Sequence, residues 1–189
     1  GRYDIVASPI WANTVRGKLA TASAPLYFNA FGIWVRADET RFSSADHWAA
    51  IDSPEVRIAA LDGSLTMSVA KTQFPRAQIV SHPDMASPAE LFLDVVNNKA
   101  DVFLAEPEKG LDYLATNPGT IKNIAISPPL KVFPAVFLMP KQEYQLKAMI
   151  DAGITELQIN GSVQQVLKQY DRGPDVFYPV ALPYIAPEQ

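Results

Sequence analysis

Cysteine is absent from the 189-residue chain. Its absence excludes disulfide bridges, thiolate metal sites and a cysteine nucleophile. Histidine is nearly as scarce, because only His47 and His82 occur and they lie far apart in the sequence. A zinc site would need carboxylates to complete it, and no metal-ligand, phosphate-loop or nucleophile motif is present. We therefore predict neither a metal nor a cofactor.

An excess of positive charge is also lacking. Sixteen Lys and Arg residues stand against twenty Asp and Glu residues, which gives a net charge of −4 and a pI near 5.1. This balance argues against a nucleic-acid partner and against a basic arm on an anionic membrane. No stretch approaches the ~20 apolar residues that a membrane span needs, and no signal-peptide pattern is present. Because the sequence opens at Gly1 without a methionine, we expect a processed, truncated or subcloned product.

The residues that are present fit a folded α/β protein. Apolar residues make up 48% of the chain and charged residues 19%, which permits an ordinary core and excludes wholesale disorder. At the usual ~100–200 residues per domain, the length allows one domain or two small lobes. Short apolar runs alternate with helical patterns, and this order predicts a sheet with helices on both faces.

The pattern of apolar residues, caps and turn residues places the elements. Ser64 and Ser162 are the predicted N-caps of two helices, and the segment after residue 170 is predicted to be an ordered strap or a linker. The predicted strands are 3–8, 27–36, 55–61, 77–81, 101–105, 121–126 and 132–139. The predicted helices are 44–51, 64–74, 87–97, 108–115, 142–159 and 162–170.

Four segments occur in an order typical of one protein family. They are GRYDIVAS with TVRGKLATASAPLY, VRIAALDGSLT, NNKADVFLAE, and LKAMIDAGITELQINGSVQQVLKQYD. Together they resemble the bacterial extracellular solute-binding proteins of the amino-acid type, which serve ABC importers. No segment is specific alone, but the ordered set extends from residue 1 to about 171.

This resemblance implies a periplasmic-binding-protein-like fold of two α/β lobes joined by two crossing hinge strands. The hinge strands would be 27–36 and 132–139, and lobe II would be 37–131. Residues 1–26 and 140–189 would form the remainder of lobe I and the C-terminal tail. The family begins with roughly half a lobe more than this chain has. We therefore expect the first part of lobe I to be missing, and we name a companion N-terminal fragment as a partner to be tested.

The resemblance also assigns residues to a ligand carboxylate. Arg16 stands where the family holds that carboxylate, and a guanidinium can pair with it through two parallel hydrogen bonds; the alternative is a solvated surface arginine. Trp11, near Arg16, would either stack on the ligand or fill the core of lobe I. Ser64 and Thr66 belong to a glycine loop before a helix, whose N–H groups can bind an anion. Ser64 would serve equally as an ordinary N-cap.

Glu106 is the residue assigned to a ligand ammonium. It follows a predicted strand, at the end where open α/β sheets bind ligands. The family usually has Asp at this place, one methylene shorter. The competing interpretation is an acidic residue that favours the dipole of the helix after it.

The resemblance implies a binding protein that performs no chemistry. It would capture an amino acid or related polar solute in an interlobe cleft and present it to a membrane permease of an ABC importer, in the periplasm or outside the cell. The alternative is a dehydratase-like enzyme or a ligand-sensing domain on the same fold, and fold analogy alone does not separate these.

Overall fold

The computed structural model describes residues 3–42, 46, 48–173 and 176–181. The chain divides into two compact units. Unit 1 contains Gly1–Ala30 and Val132–Gln189, and unit 2 contains Phe31–Lys131. Each unit combines strands with helices, which confirms the predicted α/β class. The hinge role predicted for the strands at the two boundaries stays a prediction.

Unit 1 is built around an antiparallel arrangement of strands. Its elements are β1 (Val6–Trp11), α1 (Thr14–Gly17), β2 (Ala20–Ala22), the first residues of β3 (Tyr27–Arg36), nearly all of β8 (Lys131–Pro140), α5 (Tyr144–Ile159), α6 (Ser162–Tyr170) and β9 (Phe177–Pro179). Strand β8 pairs with both β1 and β2, and β9 pairs with the start of β3. Strands β8 and β3 are also neighbours in the strand order.

Unit 2 adds a parallel arrangement. After the rest of β3 come a 3-10 turn (Ala49–Ile51), β4 (Arg57–Leu61), α2 (Leu65–Gln73), β5 (Gln78–His82), α3 (Pro88–Val96), β6 (Val102–Ala105), α4 (Pro107–Thr116) and β7 (Ile121–Asn123). Strand β4 lies between β5 and β6 and runs parallel to both. Strand β3 closes the arrangement antiparallel to β6 and β7.

An aromatic cluster forms the core of unit 2. The fully buried ring of Phe92 packs edge-on against Trp34 and Phe103, and its centroid lies 5.0 Å from that of Tyr113. Gly110 of α4 lies against Trp34, so close that an added Cβ would clash with the indole ring. A glycine at this position lets α4 approach the core.

Two buried carboxylates of unit 2 are neutralised by arginines. Arg41 bridges Glu39 and Asp101 at 2.6 and 2.7 Å, and Arg57 adds a second ion pair to Asp101 at 3.0 Å. The hydrogen bond from Arg41 lowers the pKa of Glu39 and outweighs the opposing effect of burial. Burial alone would raise the pKa of Asp101, but hydrogen bonds from Arg57 and Arg41 lower it overall. Both acids are therefore held charged.

The structure corrects several predicted boundaries. Strand β1 starts at Val6 instead of Tyr3 and continues through Pro9 to Trp11. Proline is tolerated there because β1 is an edge strand and its register shifts between Val6 and Ile10. Of the expected helix 44–51, the structure describes a 3-10 turn at Ala49–Ile51, and residues 43–45 and 47 lie outside the described residues. The strand predicted at 121–126 ends at Asn123.

The two short strands β2 and β9 were not predicted, and one predicted cap is wrong. Ser162 is the first residue of α6, and the N-cap is Gly161, which has a left-handed φ of 80°. Glycine adopts that conformation without steric cost. Ser64, in contrast, is the N-cap of α2 as predicted, because its hydroxyl accepts a hydrogen bond from the Met67 N–H at 3.2 Å.

Candidate functional site

Arg16 lies in the short helix α1 of unit 1 and is half-buried. Its Nη1 donates to the backbone carbonyl of Trp11 at 2.7 Å, and its backbone N–H donates to the Asn13 side chain. Within the described part of the chain, no acidic side chain forms an ion pair with Arg16. One bond thus fixes the guanidinium, while its other N–H groups stay available to a carboxylate.

Trp11 is buried within unit 1. Its ring stacks on Phe133 of β8, with centroids 4.7 Å apart and planes 11° apart. Of the two interpretations that the sequence left open, this packing favours a core residue. Because Arg16 donates to the carbonyl of the same residue, the packing of Trp11 also positions the guanidinium.

In unit 2, the loop before α2 uses its hydroxyl groups internally. Ser64 Oγ donates to the Leu61 carbonyl at 2.7 Å while it accepts from Met67. Thr66 Oγ1 donates to the Leu104 carbonyl at 3.3 Å. Each hydroxyl therefore already donates its hydrogen to a protein carbonyl and not to a ligand. The first N–H groups of α2, those of Leu65 and Thr66, lack acceptors within the helix by its geometry.

The hydrogen bond of Thr66 brings two predicted site segments together. It connects the first turn of α2 to Leu104 of β6, two residues before Glu106. Strands β4, β5 and β6 are parallel, so their carboxyl ends lie at one edge of the sheet. Ligands of open α/β sheets bind outside such an edge.

Glu106 follows β6 at this edge and is the N-cap residue of α4, although its side chain does not cap the helix. Burial raises the pKa of its carboxyl group, and the negative charge of Glu108 raises it further. A hydrogen bond from the backbone N–H of Glu106 and the charge of Lys109 act in the opposite direction. A half-buried carboxyl group whose pKa is raised gains from a cation that restores its charged form.

The same edge carries polar residues that the sequence analysis passed over. Ser81 donates a hydrogen bond to Asp62, which directly follows β4. His82 is the last residue of β5 and pairs with the buried Asp94 at 2.6 Å. The sequence could have indicated these residues by position, because Asp62, Ser81 and His82 all lie at the carboxyl end of a predicted strand.

The candidate residues divide between the two units. Arg16 and Trp11 belong to unit 1, whereas Ser64, Thr66 and Glu106 belong to unit 2. Among the described residues, no cluster of His, Asp and Glu side chains could hold a metal ion. The helices described here also include none that is long and apolar enough to cross a membrane.

The solved structures similar to this chain include amino-acid-binding proteins. One is an ancestral amino acid-binding protein described as a precursor of cyclohexadienyl dehydratase, with 20% identity and a TM-score of 0.72 over 90% of this chain and 70% of that chain. Another is the substrate-binding protein of an amino acid ABC transporter, with 18% identity and a TM-score of 0.71 over 92% and 73%. A third, from Streptococcus pneumoniae, is an amino acid ABC transporter substrate-binding protein bound to L-arginine. It has 24% identity and a TM-score of 0.67 over 89% and 68%. At these identities the likeness concerns the fold, and it confirms the predicted periplasmic-binding-protein-like class.

A comparison with curated protein sequences gives no match. The family model of the bacterial extracellular solute-binding proteins, family 3, matches residues 1–172, which covers the whole span over which the four segments occur. The chain belongs to the family-3 bacterial extracellular solute-binding proteins.

Proposed function

We propose that this protein binds an amino acid or a related zwitterionic solute and delivers it to the permease of an ABC importer, in the periplasm or outside the cell. The observation that carries the proposal is the family match over residues 1–172. The similar solved structures support the ligand class, because they include an amino acid ABC transporter protein bound to L-arginine. In this proposal the protein performs no chemistry on its ligand.

Arg16 is proposed to bind the ligand carboxylate. Its support is a half-buried guanidinium anchored by one hydrogen bond to the Trp11 carbonyl, with no carboxylate paired to it among the described residues. Trp11 then acts as a positioning residue, because its ring is already stacked on Phe133.

Ser64 and Thr66 are proposed to contribute through the backbone at the start of α2. Both hydroxyl groups donate to protein carbonyls, so the donors left for an anion are backbone N–H groups at the positive end of the helix dipole. Substitution of either hydroxyl should then affect the helix more than the specificity for the ligand.

Glu106 is proposed to receive the ligand ammonium. The raised pKa of its half-buried carboxyl group means that a cation beside it is favoured, because the cation restores the charged state. Binding of a zwitterion should accordingly weaken on acidification, as Glu106 takes up a proton, at a higher pH than for an ordinary glutamate.

The test is calorimetric titration of a panel of amino acids against matched variants. Arg16→Ala should weaken binding by about two to three and a half decades, because removal of one partner of a buried charge pair costs ~3–5 kcal/mol. Lys18→Ala, an exposed cation two residues away, should bind with unchanged affinity. Equal affinity of the Arg16 and Lys18 variants would remove the carboxylate role.

Glu106→Gln separates the ammonium role from a structural role. The variant should lose affinity for a zwitterionic ligand while it keeps affinity for the des-amino analogue, since both ligands share the carboxylate. Equal losses for both ligands would make Glu106 structural. The expected companion N-terminal fragment stays a prediction, and intact mass with N-terminal sequencing of the isolated protein tests it.

A dehydratase-like activity is the second candidate. It is favoured by one observation, the half-buried carboxyl group of Glu106 with its raised pKa, which is a property typical of proton-transfer groups. Turnover of a cyclohexadienyl acid, followed by NMR and abolished by Glu106→Gln, would replace the binding proposal. Saturable binding without product formation would exclude this candidate.

A further inference from the structure

A groove of about 460 Å³ lies between helices α3 and α4 of unit 2. Its wall on α3 is apolar and consists of Pro88, Ala89, Phe92 and Leu93. Phe92 is fully buried and belongs to the aromatic core, so packing fixes the floor of the groove. The volume falls within the range of about 300–1,000 Å³ that is typical of small-molecule sites.

Helix α4 supplies the polar wall of this groove. Lys109, Tyr113 and Asn117 follow one another at intervals of four residues, so they form one row along the helix. Asp112 and Thr116 form a second row beside it. A ligand that fits between the two walls needs an apolar body and polar groups along one edge.

Tyr113 provides a buried hydrogen-bonding group that faces this groove without a protein partner. The residue is 7% exposed, and its ring centroid lies 5.0 Å from that of Phe92. In the part of the chain that the structure describes, its hydroxyl group has no hydrogen-bond partner. Burial raises the pKa of Tyr113, so the hydroxyl keeps its proton at neutral pH and can donate it to a ligand. A polar group in this position is stabilised when an outside molecule supplies the missing partner.

Lys109 is the second donor and lies one helical turn before Tyr113, with about 5–6 Å between Cβ atoms at that spacing. It is exposed, and none of the acidic side chains described by the structure forms an ion pair with it. The side-chain N–H groups of Asn117, in contrast, donate to the Tyr113 backbone carbonyl and to Thr116 Oγ1. The donors left for a ligand in this row are therefore one ammonium and one hydroxyl group, a pair that suits the two oxygens of a carboxylate.

We propose that the groove between α3 and α4 is a second ligand site, which binds a small aromatic carboxylate. The ring lies against the apolar wall of α3 and the aromatic floor. The carboxylate accepts hydrogen bonds from Lys109 Nζ and Tyr113 Oη. The site is built from α3 and α4 alone and shares no residue with the proposed solute site.

Titration of the ¹⁵N-labelled protein with 3-phenylpropionate tests the proposal, because this probe combines a ring with one carboxylate. Amide resonances of α3 and α4 should shift saturably. The neutral 3-phenylpropanol and the cationic 3-phenylpropylamine are matched probes. Each should bind about fivefold more weakly or worse, since hydrogen bonds to a charged group are the stronger ones. Equal or tighter binding of either matched probe would overturn the carboxylate contact. Shifts confined to Glu106 and the loop before α2 would place the probe in the solute site and overturn a second one.

Two pairs of variants locate the probe. Tyr113→Phe should weaken binding of 3-phenylpropionate by about tenfold, because one hydrogen bond to a charged group is lost. Tyr144→Phe, at an exposed tyrosine of unit 1, should bind like the native chain. Ala89→Phe, which fills the groove from its wall, should abolish the saturable shifts. Ala115→Phe, at an exposed position of α4 outside the lining, should retain them. Equal affinities within either pair would refute the site, and the solute-binding proposal would stand or fall separately.

Discussion

The aromatic cluster of unit 2 and the apolar groove of unit 1 differ in how completely their apolar side chains are buried. Unit 2 holds Phe92 without exposure among aromatic neighbours and neutralises Glu39 and Asp101 with arginines. Unit 1 leaves apolar side chains of α5 and α6 exposed around its groove, which Leu157 and Val166 line. Unit 2 is one continuous segment that contains its own aromatic core, whereas unit 1 is assembled from two separate segments of the chain.

The largest effect should come from the core of unit 2. Phe92→Ala should destabilise the protein by about 3–5 kcal/mol, because it removes a fully buried ring and leaves a cavity. Leu167→Ala, at a half-buried position of the groove in unit 1, should cost clearly less. Urea denaturation measures both losses. Comparable losses would contradict the contrast between the units.

The second effect concerns the ion pairs of unit 2. Asp101→Asn should cost about 1–3 kcal/mol at neutral pH, below the value for a fully buried pair because Arg41 and Arg57 are partly exposed. The lowered pKa values of Asp101 and Glu39 stabilise the fold above the pKa of an unfolded carboxylate. This stabilisation is lost as the pH falls through the folded-state values.

Urea titrations of the native chain and Asp101→Asn between pH 7 and pH 2 check this sign. The two free energies of unfolding should converge in acid, where the carboxylate is protonated in both states. A difference that stays constant down to pH 2 would show that the effect of the substitution is steric.

A smaller effect separates two serines at helix starts. Ser64→Ala should cost about 1 kcal/mol, because it removes the hydroxyl that caps α2. Ser162→Ala should stay within about 0.5 kcal/mol, since α6 is capped by Gly161 instead. Thermal unfolding of the two variants side by side measures the difference, and a larger loss at Ser162 would contradict the observed cap.

The smallest effect is a gain. The raised pKa of Glu106 means that, as the pH rises, the folded state retains the proton to a higher pH than the unfolded state does. Its contribution to stability is therefore present below the pKa of an unfolded glutamate and lost as the pH rises through the folded-state value. Glu106→Gln should stabilise the ligand-free protein slightly at pH 7 and leave it unchanged near pH 3. A loss at pH 7 would show that the carboxylate makes a favourable contact.

The sequence predicted the elements that carry strong local signals. Helix α3 occupies 88–96 against a predicted 87–97, because a Ser-Pro start and one apolar stripe define it. Strands β2 and β9 escaped prediction because each has three residues and is formed by a partner more than a hundred residues away. No local pattern encodes such a pairing.

The candidate site was predictable only in part. Arg16, Ser64 and Glu106 were assigned through the resemblance to the family, and their part in ligand binding stays a prediction; their contacts within the protein could not be predicted. That Trp11 stacks on Phe133, or that the hydroxyl of Thr66 is used by Leu104, depends on tertiary neighbours. Similarly, Ser162 resembles a cap in the sequence, and only the left-handed φ of Gly161 shows which residue takes that place.

The junction of β3 with the segment before β8 has a consequence for the order of folding. Within unit 2, the Leu130 N–H donates to the Phe31 carbonyl at 2.9 Å, so the first residue of this 101-residue segment meets the residue before its last. Closing a flexible loop of that length costs about 4 kcal/mol of chain entropy beyond a constant. Once unit 2 has formed, Ala30 and Val132 emerge side by side, and that cost no longer opposes the assembly of unit 1. During synthesis, β1 cannot pair with β8 until β8 has been made, whereas the whole of unit 2 is made before most of β8. The formation of unit 2 therefore brings together the two chain segments that form unit 1.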